Sequence, residues 1–214
     1  MSDRPRIKPT TNGPYLVEGA GEITRLRDGE AIESKARSFL CRCGGSQNKP
    51  FCDGTHARIG FSDAKDPGRV PDRRDAYASR DDRITIHDNR GLCAHAARCT
   101  DNLAAVFRLG TEPWIDPDGA SAEEIAAVVE RCPSGALSYT LDDSEHRDHA
   151  GPPSIAFAPG GPYVVSGGVE LVETEMPSGA TTDHYTLCRC GASQNKPFCS
   201  GKHWDVDFDQ DARG

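Results

Sequence analysis

Nine cysteines carry the chemistry of this sequence, and they fall into three groups of three: Cys41, Cys43, Cys52; Cys93, Cys99, Cys132; and Cys188, Cys190, Cys199. The first and last groups each run on to a histidine, so Cys-x-Cys-x₈-Cys-x₃-His occurs twice, ending at His56 and His203. Thiolates and imidazoles bind zinc, copper and iron–sulfur centres. Two cysteines flanking one residue share a face of a strand, and a cysteine and histidine four apart lie one helical turn from each other. An odd cysteine count argues against a disulfide framework, and Cys-x-Cys would close a strained small ring. Zinc is a legitimate occupant of a tetrahedral Cys₃His set, although zinc fingers usually separate their paired cysteines by two to four residues. The ligand set alone leaves zinc and iron–sulfur both open.

The two sets belong to an internal repeat. Residues 40–56 read LCRCGGSQNKPFCDGTH and residues 187–203 read LCRCGASQNKPFCSGKH, identical at fourteen of seventeen positions. The likeness extends outward: NGPYLVEG (12–19) answers GGPYVVSG (160–167), and Phe61 answers Phe208. These residues resemble the CDGSH iron–sulfur (mitoNEET-like) family, whose motif has Cys-x-Cys, a Ser, a Pro before the third Cys, and then Cys-Asp-Gly-Ser-His. Ser46, Pro50 and Cys52-Asp-Gly-Thr-His56 meet it in the first copy; Ser193, Pro197 and Cys199-Ser-Gly-Lys-His203 meet it in the second. The resemblance implies one 2Fe–2S cluster per copy, held by three cysteines and one histidine. It also implies that the copies pack about a pseudo-twofold axis with their strands in a small β-cap. The second copy departs from the motif at Ser200 and Lys202. A cation at Lys202 is expected to disfavour protonation of His203 and to give the 188–203 cluster the higher potential. In both copies the imidazole replaces a thiolate charge and can be protonated, so potential and cluster retention should follow pH near neutrality.

The middle group lacks this pattern. Cys93-Ala-His-Ala-Ala-Arg-Cys99 and the distant Cys132-Pro133 look like a bacterial ferredoxin run whose central cysteine is replaced by Ala96. Three thiolates suit a 3Fe–4S cluster, or a 4Fe–4S cluster if His95 or an exogenous group takes the fourth iron. The segment also resembles the divergent single-cluster ferredoxins, whose Cys-x-His-x₃-Cys and Cys-Pro-Ser-Gly-Ala-Leu are met by Cys93, His95, Cys99 and residues 132–137.

The elements that must position these ligands are short. Tyr15-Leu-Val and Tyr163-Val-Val follow Gly-Pro turn signals, and further runs lead into Cys41 and Cys188, so strands are expected before each motif. Asp53 and Ser200 are N-cap types, predicting a short helix that carries each histidine. Between the repeats, Arg83-Ile-Thr-Ile-His reads as a strand and the Ala-rich stretch around Cys93 as a helix. A second helix is read from Ser121, with capping-box spacing to Glu124 and an inner face of Ile125, Val128 and Val129, ending at Cys132-Pro133; a closing strand follows from Ala136. Polar segments 66–79 and 142–152 read as linkers. The expected fold class is α+β, with a first CDGSH-type repeat (1–70), a ferredoxin-like βααβ unit (80–142) and a second repeat (153–214).

Only 36% of the 214 residues are apolar, with 22 glycines and 15 prolines, so the chain has little apolar area to offset its ordering entropy and metal centres are the expected staples. A net charge of −8 excludes nucleic acid as a natural partner. It suits a basic redox partner, although solubility explains it equally well. No apolar run is long enough for a membrane span and no signal-peptide core is visible, so the expected location is cytoplasmic. There is no nucleophile–base–orienter set, P-loop or Gly-x-Gly-x-x-Gly after a strand. The resulting expectation is an electron carrier rather than an enzyme, sufficient as a monomer because both copies are in one chain. Cluster storage and delivery, or redox sensing, are the alternative roles. His87, His146, His149 and His184 fall outside the motifs, and His146 and His149 are read as solvated.

Overall fold

Alternate burial is what makes strands of the runs that precede each cysteine motif. In the first repeat they are β1 (Arg6–Pro9), β2 (Tyr15–Glu18), β3 (Glu22–Arg25), β4 (Ala31–Glu33) and β5 (Arg37–Leu40), followed by a one-turn helix α1 (Thr55–Arg58). Tyr15 and Val17 point inward while Leu16 and Glu18 are partly exposed. The middle unit adds β6 (Arg74–Ala78), β7 (Ile84–Asn89), a 3₁₀ turn (Arg90–Leu92), α2 (Ala122–Val129), β8 (Leu137–Leu141) and β9 (Ser144–His146). The second repeat contributes β10 (Ser154–Phe157), β11 (Tyr163–Ser166), β12 (Glu170–Leu171) and β13 (Tyr185–Leu187). The computed structural model describes residues 4–149, 151–177, 179–206 and 208. The outer ends of the expected repeats, residues 1–3 and 209–214, lie outside the described residues, as does Ala150 of the second expected linker.

The repeats exchange strands. One sheet runs β12-β1-β2-β5 and another β13-β11-β10-β3-β4. Thus β12 of the second repeat lies parallel to β1, with Arg6 opposite Glu170, and β3 of the first lies parallel to β10, with Ala156 opposite Thr24. Ile7, Tyr15, Val17 and Leu40 bury together with Ile155, Tyr163, Val165 and Leu187 in a common core. At its centre the Tyr15 and Tyr163 rings meet edge to face, with centroids 5.9 Å apart. Each hydroxyl reaches the other repeat. Tyr15 Oη lies 3.0 Å from the Cys188 carbonyl and 2.9 Å from that of Pro197; Tyr163 Oη lies 2.9 Å from Cys41 O and 3.0 Å from Pro50 O.

The middle unit has its own antiparallel sheet, β6-β7-β8-β9, packed under α2. Ser121 and Glu124 form the expected capping box, and Ile125, Val128 and Val129 are buried. Three expectations are corrected. The segments read as linkers supply strands β6 and β9, because their polar residues find partners across the sheet: Arg74 of β6 bonds Ser138 of β8 at 3.0 Å and pairs with Glu145 of β9. The Ala-rich stretch around Cys93 is an irregular loop rather than a helix, since His95 (φ 53°) and Ala97 (φ 57°) adopt left-handed conformations that a right-handed helix cannot contain. Finally, α2 stops at Val129, before Cys132. The chain is α+β, dominated by short strands, and among the described residues no helix is long and apolar enough to cross a membrane.

Replacing Tyr15 by Phe takes the hydroxyl donor from the buried Cys188 carbonyl and leaves Pro197 O with Cys188 N alone, so the protein should lose about 1–2 kcal/mol of stability in denaturant titrations. Because the hydroxyl ends on the other repeat, metal should escape faster from the 188–203 site than from 41–56, the site nearer in sequence. The reverse order would show that the hydroxyl does not support the opposite motif.

Candidate metal centres

In each repeat the strand before the motif ends one residue short of the first cysteine, and the next turn brings the second cysteine back beside it. Cys41 Sγ and Cys43 Sγ are 3.9 Å apart, and so are Cys188 Sγ and Cys190 Sγ. The later donors approach in the same way: Cys52 Sγ to His56 Nδ1 is 3.3 Å and Cys199 Sγ to His203 Nδ1 is 3.5 Å. Around a tetrahedral metal, bonds of about 2.3 Å to sulfur and about 2.0 Å to nitrogen give edges of roughly 3.8 Å between sulfurs and 3.5 Å between sulfur and nitrogen. Both pairs in both copies therefore match the edges of a tetrahedron. Among the described residues no three Cys, His, Asp or Glu side chains gather on one point as a single ion would require. The donors come as two pairs, not as one foursome.

The protonation of the thiols fits this use. Cys41 and Cys188 are drawn down to about 6, first by the hydrogen bond from the neighbouring cysteine, while Cys43 and Cys190 are pushed up by sharing that proton and by burial. A pair holding one proton between two sulfurs is a pair that can exchange it for a metal. Backbone N–H groups also point at the sulfurs: Gly45 and Ala192 donate to Cys43 and Cys190 at 3.4 Å, and Gly54 and Gly201 to Cys52 and Cys199 at 3.4 and 3.5 Å. Such donors offset thiolate charge. Cys43 and Cys190 form a β-bridge across the two motifs. Glycine is required beside it, since a Cβ on Gly44 (φ 77°) would sit 2.4 Å from Cys190 O and one on Gly191 (φ 81°) 2.5 Å from Cys43 O.

The residue between the paired cysteines is a feature that reading the ligands alone overlooks. Arg42 and Arg189 are buried to 3% and 1% exposure. The Arg42 guanidinium lies over Tyr15 and Phe61 and bonds Thr10 O at 3.1 Å; that of Arg189 lies over Phe157 and Phe208 and bonds Gly161 O at 3.1 Å. A buried cation is costly without nearby negative charge. Asp63 Oδ2 supplies it to Arg42 at 3.5 Å, and Arg189 lies within electrostatic reach of Cys41 and Cys190. The match of Phe61 to Phe208 in the repeat was the sequence signal for these stacks.

Two details of the motifs differ from expectation. Asp53 does not cap α1, whose N-cap is Gly54; its carboxylate instead accepts from Gln47 N (2.9 Å) and Thr55 N (3.0 Å), and Ser200 accepts from Gln194 N at 3.2 Å. Residues 201–206 form turns rather than a helix. Lys202 is ion-paired with Asp205 at 2.6 Å on the exposed side of the motif. His203 is held below its ordinary value by burial, then by His95 and Arg189.

In the middle unit Cys93, Cys99 and Cys132 line one cavity of about 220 Å³, together with the irregular loop between the first two. Burial pushes the Cys93 thiol up to about 11 and raises that of Cys99. Arg90 lies 3.7 Å above the Trp114 ring and sends Nη1 toward Cys93 Sγ at 3.7 Å. Behind it, Asp88 accepts from Trp114 Nε1 at 3.2 Å, and burial raises its carboxyl to about 6. Three thiolates, a cation and a buried carboxyl fit a multi-iron cluster. His95 lies by the second motif: its ring packs on Gly201 and its carbonyl accepts from Trp204 Nε1 at 3.2 Å. Of the histidines read as solvated, His146 is exposed with its ring stacked on Tyr139 (4.7 Å), whereas His149 is half-buried on the buried His184 (3.8 Å).

Comparison with known proteins agrees with these sites. Residues 12–57 and 160–204 match the family described as iron-binding zinc finger CDGSH type, and residues 79–142 match that described as divergent 4Fe-4S mono-cluster. The uncharacterized protein YjdI of Escherichia coli strain K12 is 34% identical over 58 residues, covering 27% of this chain and 76% of YjdI. YjdI of E. coli O157:H7 matches to the same extent.

His203 is buried and its neutral form favoured, whereas His56 and Cys52 are half-exposed. As pH falls from about 7 toward 5, where imidazoles gain a proton, metal should leave the 41–56 site first while 188–203 holds on to lower pH. His56→Cys should slow the first loss. Equal loss from both sites, unchanged in the variant, would take the imidazoles out of the account.

Proposed function

The chain belongs to the iron-binding CDGSH family, with two CDGSH regions set around a divergent 4Fe–4S mono-cluster unit, and on that premise we propose that this iron–sulfur protein carries electrons rather than transforming a metabolite. The paired donors support a 2Fe–2S cluster in each CDGSH motif, with Cys41 and Cys43 on one iron and Cys52 and His56 on the other; Cys188, Cys190, Cys199 and His203 repeat the arrangement. Cys93, Cys99 and Cys132 would hold the third cluster, as 3Fe–4S or, with a further ligand, 4Fe–4S. When bound, such clusters supply one-electron chemistry. The residues around them bury part of the thiolate charge and donate N–H groups to the sulfurs.

The observation that carries the reading is the β-bridge of Cys43 and Cys190, which joins the two motifs backbone to backbone. Reciprocal strand exchange and paired tyrosine contacts support a pseudo-twofold cap, and with it a monomeric carrier. The acidic surface suits a basic redox partner in the cytoplasm. A second reading, cluster delivery, is favoured by the half-exposed Cys52 and His56.

Anaerobically purified protein should contain about seven or eight irons with matching acid-labile sulfide and little zinc. Reduced protein mixed with an apo-ferredoxin and with an oxidised holo-ferredoxin should reduce the latter and leave the former empty. Transfer of iron and sulfide to the apo-protein would favour delivery, and a colourless, zinc-loaded chain would remove both readings.

A further inference from the structure

The two CDGSH motifs share the stretch Ser-Gln-Asn-Lys-Pro-Phe-Cys, yet they do not share an environment. In the first copy Gln47 and Asn48 are exposed, and a Cβ placed on Gly54 would meet nothing within 4 Å. In the second copy Asn195 is 1% exposed, and Gly201, Cys199 and His203 are buried with it. The cover is the middle unit. Asn195 Nδ2 donates to Gly91 O at 2.8 Å, in the 3₁₀ turn that leads into Cys93, and lies 3.4 Å from Asp72 Oδ1. A Cβ on Gly201 would sit 2.7 Å from the His95 ring, so that glycine lets the imidazole lie directly on the motif backbone. Trp204 Nε1 then closes the contact on His95 O at 3.2 Å. Ala94, Ala96 and Arg98 of the loop line one cleft of about 470 Å³ with His203 and Trp204.

We propose that Asn195 and His95 are positioning residues that dock the Cys93–Cys99 loop onto the second Cys₃His motif, making 188–203 the inner relay and 41–56 the outward-facing terminus. This rests on the electron-carrier reading and gives it an order. The close junction between the Cys93 loop and the Gly201–His203 edge would pass one electron from the middle centre to the 188–203 centre. The first is oxidised by one electron, the second reduced by one, and no atom or proton is transferred. The Cys190–Cys43 bridge leads on to the first motif, whose Cys52 and His56 face solvent and an acceptor. A one-electron reductant supplies the middle centre.

The full-length protein, reduced by dithionite, tests this by EPR, with His56→Cys used to tell the two 2Fe–2S signals apart. The reduced middle centre should broaden and speed relaxation of the 188–203 signal more than that of 41–56. Asn195→Ala and His95→Ala should each diminish that difference and speed amide exchange across Gly201–Trp204 roughly tenfold, as loss of a buried hydrogen bond or a packed ring would. Asn48→Ala, the matched change in the first copy, should do neither. Equal coupling to both outer centres in the parent protein overturns the proposal, as does coupling untouched in both docking variants. If coupling follows the expected pattern while the holo-ferredoxin stays oxidised, the docking stands and the carrier reading falls.

Discussion

A tyrosine hydroxyl buried in an apolar core must find an acceptor, and in this protein each of two such hydroxyls finds it on the backbone of the opposite repeat. Tyr15 ends on the carbonyls of Cys188 and Pro197, and Tyr163 on those of Cys41 and Pro50. The metal-binding turns are thus held from the far side of the core. Neither repeat completes its own sheet either, because β12 joins the first repeat and β3 the second. Small β-rich units of about 50 residues bury little apolar surface and are marginal alone. Exchange of strands gives them a common core, and the close Cys43–Cys190 bridge, open only to glycine at 44 and 191, joins the two ligand sets.

Charge follows from that packing. Burying Arg42 and Arg189 between paired cysteines would cost several kcal/mol without negative neighbours. Asp63 supplies the opposite charge to Arg42 and the cysteines Cys41 and Cys190 act on Arg189, while the stacked Tyr and Phe rings and the accepting carbonyls of Thr10 and Gly161 hold the guanidinium planes. Arg90 over Trp114 repeats the device at Cys93 with a different scaffold. In all three places a cation rests on a rigid aromatic platform near the cysteine groups, and at Cys93 it comes within 3.7 Å of the sulfur, where it favours the anionic form.

The inserted middle unit breaks the equivalence of the two motifs. It buries Cys199 and His203 and leaves Cys52 and His56 half-exposed. Chemically alike ligand sets thereby acquire different solvent access, and solvent access is one of the levers that set the behaviour of an iron–sulfur centre. Lys202, the difference most visible in the motif itself, is partly exposed and paired with Asp205.

The ligands, their spacing and the repeat were determined by sequence alone, because donor chemistry is local: Cys, His, the turn glycines and a strand period of two are legible in a window of about twenty residues. The Ser121 capping box was legible for the same reason. What only the tertiary structure decided was everything that depends on a distant partner. Residues 74–78 and 144–146 read as polar linkers and became strands once Arg74 met Ser138 and Glu145. The loop around His95 and Ala97 lost the helix that its alanines favour, its backbone turning left-handed as it runs from Cys93 to Cys99 beside the second motif. Asn48 and Asn195 carry the same neighbours in sequence, but one faces water and the other holds Gly91, since burial is a property of what packs above a residue and not of the residue.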